Sequence, residues 1–299
     1  MSDQLSHAYA VCRGITRRAA KNFYYGFLVL PAEKRNALSA VYAFMRHADD
    51  LSDEPGGDPQ NKRQKMSEWL EAAKAVFGGK ATDDPVLMAL GDAQAKFKIP
   101  PELFEKLVYG TSMDLDIPAA TDGPVILCAT FEDLKQYCYY VASVVGLVCI
   151  RIFGYEDAKA EFLAEDCGLA FQLTNIIRDI KEDASMGRIY IPEEDLARNN
   201  LSAANFAPGA LQDPAQAQAL RPALEYEADR ARKYYESAQW LMELIHEDSR
   251  AALWVLVEIY SRLLKKIADR NYDVTTERVQ LTVWEKVKVL SRGFLVRIA

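Results

Sequence analysis

The sequence predicts an all-α protein, and three observations carry that expectation. Nearly every segment of the 299 residues repeats its apolar side chains with the helical period, and no run alternates apolar and polar residues long enough to make a convincing strand. Gly (15) and Pro (12) are too few for a turn-rich all-β chain. Hydrophobic residues make up 50% and charged residues 26%, which excludes an intrinsically disordered or low-complexity chain. There is no internal repeat, and the central segments are apolar nearly all round, as buried helices are. One domain over residues 1–299 is the expectation.

The elements follow in order. A helix opens at Pro31, where Leu38, Val41, Phe44, Met45 and Ala48 form one apolar stripe. Lys62 to Phe77 is a second, stopped by Gly78 and Gly79. Asp84-Pro85 opens a third, to about Lys96, and Pro100-Pro101 a fourth, to about Leu115. Phe131 to Phe153 is long and mostly apolar, and ends at Gly154. Ala158 to Lys181 is another long apolar helix, followed by a loop with Gly187 and then Pro192. Ser202 to Pro214, rich in Ala, Pro, Gly and Asn, reads as a loop and is the sole candidate linker. Ala215 to His246 and Ser249 to Asp269 are the last long helices, with a shorter one near Leu281 to Leu290.

Several function classes fall away. Lys+Arg is 36 against Asp+Glu 43, so the net charge of −7 makes nucleic acid a poor partner. The start, MSDQLSHAYAVCRG, does not have the basic-then-apolar pattern of a signal peptide. The apolar stretch from Tyr139 to Ile150 stops at Arg151, short of the roughly 20 residues a bilayer span needs. Five scattered cysteines without C-x-x-C point to free thiols in a reducing cytosol. Only His7, His47 and His246 are available for a histidine metal site or a serine triad, so both are disfavoured.

Two acidic faces stand out. On a helix, Tyr42, Arg46, Asp49 and Asp53 share one face, with Asp50 beside them. Like charges at i, i+4, near a helix C-terminus, are unfavourable unless something compensates them. The plainer reading is a solvated last turn with an Arg46–Asp50 ion pair. In the second face, Gly168, Gln172, Asn175, Asp179 and Asp183 form a polar stripe on an otherwise apolar helix. Buried carboxylates need compensation, so the stripe faces something polar. Its plainer reading is an ion-pair network with arginines of other helices. Together the two faces suit a hard cation such as magnesium, which takes oxygen ligands, and Arg46 and Arg178 beside them suit an anion. Carboxylates, magnesium and arginines are what a diphosphate requires. Tyr137, Val141, Val145 and Cys149, with Ala142 and Gly146 beside them, make a small-residue apolar stripe. It fits either the wall of a hydrocarbon pocket or ordinary close helix packing.

The strings YAFMRHADDLSDE (42–54), YCYYVASVVGL (137–147) and above all GLAFQLTNIIRDIKEDASMGRIYIP (168–192) resemble the squalene/phytoene synthase family, over most of the chain from about Ala20 to Asp273. The resemblance implies an all-α isoprenoid-synthase (terpenoid synthase) fold with a central cavity and two facing aspartate-rich helices. It implies that Asp49, Asp50, Asp53, Asp179 and Asp183, with Asn175 beside them, bind magnesium-diphosphate, manganese being the alternative metal. Lys21, Arg46 and Arg178 would grip diphosphate oxygens, with Arg278 a more distant contact. Phe23, Tyr25, Phe27, Tyr42, Tyr137, Gln172, Tyr190 and Tyr260 match positions that line or cap the prenyl sites. Asp114 and Asp116 resemble a further acidic element without an evident role. Two departures are Ala19-Ala20 before Lys21, where polar residues are expected, and Met45 in place of Cys.

The implied reaction is a magnesium-dependent head-to-head condensation. One allylic prenyl diphosphate ionises, the double bond of a second attacks it, and a cyclopropylcarbinyl diphosphate results. Tyr42, Tyr137, Tyr260 or the released diphosphate takes the proton. A farnesyl donor in a hopanoid-type route is the preferred reading, and a geranylgeranyl donor giving phytoene the alternative. NADPH use stays open. Head-to-tail elongation, terpene cyclisation and a non-catalytic helical protein that kept the fold are competing readings. The expected partners are prenyl diphosphates, for a cytoplasmic monomer or homodimer that meets membranes peripherally.

Overall fold

The computed structural model describes residues 3–20, 22–117 and 123–298. Fourteen α-helices dominate the described residues. The first six are α1 (Asp3–Ala19), α2 (Phe23–Leu28), α3 (Ala32–Ser52), α4 (Pro59–Phe77), α5 (Pro85–Phe97) and α6 (Pro101–Met113). A 3-10 turn, Asp114–Asp116, and a short strand β1 (Val125–Ile126) lead to α7 (Phe131–Cys138) and α8 (Val144–Phe153). Next come α9 (Lys159–Arg178), α10 (Ile180–Ser185), strand β2 (Arg188–Ile189) and α11 (Glu193–Ala197). Two 3-10 turns precede α12 (Pro214–Leu244), α13 (Glu247–Asp269) and α14 (Val283–Ile298).

Local chemistry accounts for many of the starts. Proline occupies the first turn of α4, α5, α6 and α12, where its missing N–H costs nothing. The Asp84 carboxylate accepts from the N–H groups of Val86 and Leu87 at 2.8 and 2.9 Å. Thr130 and Asp133 form a reciprocal capping box at α7.

Two hydrophobic cores meet at α9. One is built on α1, α3, α5, α6, α8 and α13, around Phe44, Phe104, Phe153 and Leu256. The other holds α10, α11 and the lower parts of α9, α12 and α13, around Leu173, Ile177, Ile189, Leu196 and Ile267. Gly168 lets α9 press on the chain at Ser143, since a Cβ there would lie 2.7 Å from the Ser143 Cα.

The structure departs from the sequence expectations at several points. The run 131–153 is interrupted by a π turn, Tyr139–Ser143, with the Val144 N–H bonded to the Tyr139 carbonyl. By length and composition these 23 residues suffice to cross a membrane. Here they pack against α6 and α9 and line the central cavity. The helix expected to run to Lys181 ends at Arg178, because Asp179 (φ −98°, ψ 11°) leaves the helical conformation and α10 restarts after it. Val125 and Ile126 pair in parallel with Arg188 and Ile189, strands too short to show as alternation. The segment 202–214 holds two 3-10 turns, and the last helix reaches further than expected. The helices α1 and α2 were not anticipated.

Candidate active site

Nine of the described α-helices contribute to the wall of a cavity of about 680 Å³. Its body is apolar, with Val41 and Met45 from α3, Leu107 from α6, Val145, Cys149 and Phe153 from α8, Phe171 from α9, Leu241 from α12 and Leu253 from α13. Polar groups gather at one part of the wall: Arg46, Asp49, Asp53, Asn175, Arg188 and Lys62. The π turn brings Tyr140, Val141 and Ala142 onto the wall together, which an unbroken helix cannot do with three consecutive residues. Gly146 serves both readings of its stripe. It lines the cavity, and a Cβ on it would lie 2.8 Å from the Ala164 carbonyl oxygen of α9.

The first acidic motif rides the last turn of α3. Asp49 is half-buried and accepts from the Thr111 hydroxyl at 3.3 Å. Burial pushes its carboxyl up to about 6, against the pull of Arg46. Asp53 lines the cavity mouth and is exposed. Asp50 points outside the cavity wall and pairs with Arg46, the ion pair of the plainer sequence reading.

The second motif straddles the break between α9 and α10. Asp179 is held by two arginines: Arg178 Nε donates at 2.7 Å, and Arg278 Nε donates at 2.9 Å, with Arg278 Nη2 in ion-pair contact at 2.7 Å. Asp183 makes no side-chain hydrogen bond among the described residues, and burial, then Asp179, pushes its carboxyl up to about 7. The Asn175 amide donates to Gln172 at 3.4 Å, while its Oδ1 is buried without a partner.

Two aromatic clusters complete the wall. Tyr260 stacks on Phe171 with ring centres 4.4 Å apart, and Phe23 lies 6.0 Å from Tyr260. Tyr137 stacks on Tyr190 at 4.9 Å, and both hydroxyls donate to Asp114 Oδ1 at 3.3 Å. Arg188 Nη1 donates to the other Asp114 oxygen at 2.6 Å. Burial raises the hydroxyl pKa of Tyr42, Tyr137 and Tyr260, and that of Tyr190 to about 12, so these phenols stay protonated.

Of the residues singled out from the sequence, Phe23, Phe27, Tyr42, Arg46, Asp49, Asp53, Tyr137, Val145, Gly146, Gln172, Asn175 and Tyr260 line the cavity. Asp50, Arg178, Asp179, Asp183, Tyr190, Arg278 and Tyr25 stand off the lining. For Arg178, Asp179 and Arg278 the reason is their mutual ion pairing, and for Tyr190 its place behind Tyr137. Tyr25 turns toward Lys286, whose Nζ lies 5.8 Å from its ring centre. Lys21 falls outside the described residues. Sequence reasoning gave no role to Lys62, Thr111 or Arg188. Arg188 was in sight within the longest motif string, and Asp114 was noted as acidic, but their pairing joins residues 74 positions apart.

The donor set suits a hard cation. It is all oxygen, and it includes the orphaned Asn175 Oδ1 and Asp183, whose carboxyl burial and Asp179 push up against the pull of Arg188. Among the described residues no three acidic, histidine or cysteine side chains converge as a ready-made cage.

An all-α cavity with carboxylates and arginines at one end and a hydrocarbon-sized apolar body defines a terpenoid-synthase-type enzyme. The chain belongs to the squalene/phytoene synthase family, whose profile matches residues 16–285, and it is a transferase of the prenyltransferase type. It is 35% identical over 297 residues to a 15-cis-phytoene synthase of Synechococcus elongatus, covering 95% of this chain and 91% of that one. It is 35% identical over 286 residues to a phytoene synthase of Mycobacterium tuberculosis, covering 96% and 90%. A crystal structure of a dehydrosqualene synthase superposes with a TM-score of 0.80 at 30% identity, covering 97% of this chain and 96% of that one. The farnesyl preference read from the sequence is therefore the less supported of the two donor readings.

Proposed function

We propose that this protein joins two molecules of geranylgeranyl diphosphate head to head to give phytoene. The observation that supports this reading is the 35% identity, over nearly the whole of both chains, to two phytoene synthases. The cavity is compatible with a long donor, since its wall continues from Tyr137 to Phe153, roughly 24 Å of helix at ~1.5 Å per residue.

In this proposal Asp49, Asp53, Asn175, Asp179 and Asp183 hold magnesium, or manganese in its place, while Asp50, outside the wall, holds Arg46 beside them. Bound there, the metal would draw charge from the leaving diphosphate. Arg46, Arg178, Arg278 and Lys21 grip diphosphate oxygens, and Lys62 and Arg188 add positive charge at the same mouth. Arg178 and Arg278 sit on Asp179 until an anion competes for them. The apolar body excludes water from the allylic cation, and the faces of Phe171, Tyr260 and Phe23 attract it. The double bond of the second substrate attacks C1 of the cation, and loss of a proton closes the cyclopropane ring. The released diphosphate, or one of Tyr42, Tyr137 and Tyr260 on the cavity wall, takes that proton. The second ionisation ends in proton loss and takes no hydride, so this reading requires no NADPH. Residues 1–299 act as one domain, in a cytoplasmic monomer or homodimer peripheral to a membrane.

The second reading keeps the chemistry and uses farnesyl diphosphate, giving presqualene diphosphate and a squalene-type product. The likeness to a dehydrosqualene synthase structure favours it. Mass spectrometry of products from each donor, with and without NADPH, separates the two. A C40 hydrocarbon from geranylgeranyl diphosphate without NADPH is expected. Turnover of farnesyl diphosphate alone overturns the donor assignment, and turnover of neither overturns the reaction.

A further inference from the structure

We infer that the outward face of α14 is a docking surface for an anionic lipid bilayer. Among the described residues, five of the eleven exposed large apolar side chains belong to this one helix: Val283, Trp284, Val287, Phe294 and Leu295. At about 100° per residue they fall within one arc, centred near Ser291. On the opposite side Val289 and Gly293 are buried, and the helix packs there against α13 and α2. The helix therefore buries one apolar face and presents a second to solvent.

The charges around that second face have one sign. Lys288 and Arg292 border it on one edge and Lys286 lies on the other. The sole acid of the helix, Glu285, turns inward to Lys266 at 3.0 Å and to the Thr282 N–H at 2.7 Å. The chain as a whole carries −7, so this basic rim runs against the general charge. An apolar arc with an exposed tryptophan and a basic rim matches a negatively charged membrane interface: the rings and aliphatic chains enter the acyl boundary while the cations stay among the headgroups. A convex single helix also suits a flat bilayer better than a pocketed partner. The helices under α14 carry Phe23, Phe27, Leu253, Leu256 and Tyr260 of the cavity wall, so docking sets that wall beside lipid. The inference stands on α14 alone and holds for either donor.

Flotation of the full chain with vesicles tests it. The expected result is co-flotation with phosphatidylglycerol-containing vesicles and little with pure phosphatidylcholine. Trp284→Ser with Leu295→Ser, both exposed and so harmless to folding, lowers the partition at least about tenfold. Lys288→Gln with Arg292→Gln lowers it about tenfold at low salt and much less at high salt. Unchanged melting temperatures show that the variants fold. Absence of flotation with anionic vesicles, or equal binding by the variants, overturns the inference. So does self-association in sedimentation that the Trp284 variant abolishes, which would make the face an interface with a second copy.

Discussion

On α3 the acids Asp49, Asp50 and Asp53 lie in and just past the last turn of an unbroken helix, and two of them are exposed. At the other motif the helix breaks at Asp179, two guanidinium groups hold that carboxylate, and Asp183 is largely buried without a partner. Both motifs concentrate like charge, and they relieve it differently. The first lets water and one arginine do it, while the second ties up cations that are themselves candidate diphosphate ligands. The first is thus an open half-site and the second a guarded one, and substitution should affect them unequally.

The largest effect is expected from Asp179→Asn. It removes a carboxylate of the proposed metal site, so kcat should fall by about 10²–10³. It also strips two arginines of their partner, destabilising the fold by about 2 kcal/mol or more. Asp53→Asn should lower kcat comparably while leaving stability within about 0.5 kcal/mol. Pyrophosphate release and thermal melting on the same samples check both, and equal melting losses would erase the contrast between the motifs.

Next is Asn175→Ala. Its Oδ1 has no partner to lose and its amide gives up only the 3.4 Å bond to Gln172, so melting should change little, while the magnesium concentration for half-maximal activity rises roughly 10–100-fold, as for other residues that hold a metal's surroundings. Arg278→Ala comes third. The guanidinium is half-exposed, so KM for the diphosphate should rise about tenfold with a smaller change in kcat.

The smallest effect concerns carboxylates away from the cavity. Asp195 and Glu227 are buried together, and Arg230 Nη1 bridges them at 2.8 and 2.6 Å. Burial pushes the Glu227 carboxyl up, despite Arg230. The fold therefore favours its protonated form, and stability should decline as pH rises above ~4.3 toward the raised folded value. Glu227→Gln should flatten that slope in a series of melts, and an unchanged slope would show that another group sets it.

Much of this was legible in the sequence. Proline and aspartate at helix starts placed α5 and α6 within a residue or two, and a spacing of four and three placed Gln172 and Asn175 on one wall. What stayed hidden depended on contacts across the chain. The break at Asp179 leaves no trace in apolar periodicity, because Ile176, Ile177 and Ile180 continue the pattern through it. The arginine lock needs residue 278 to meet residue 179, and the Asp114 cluster needs the short strand pairing that carries Arg188 beside it.

The π turn at Tyr139–Ser143 amounts to one extra residue held within a helix, and it rotates everything after it by about 100° relative to everything before. The two halves of that wall are thereby set in separate frames. Residues up to Tyr137 keep time with the carboxylates, and those from Val145 to Phe153 keep time with the hydrocarbon. Substitutions in the second half can therefore reshape the apolar end of the cavity while the first half holds its phase.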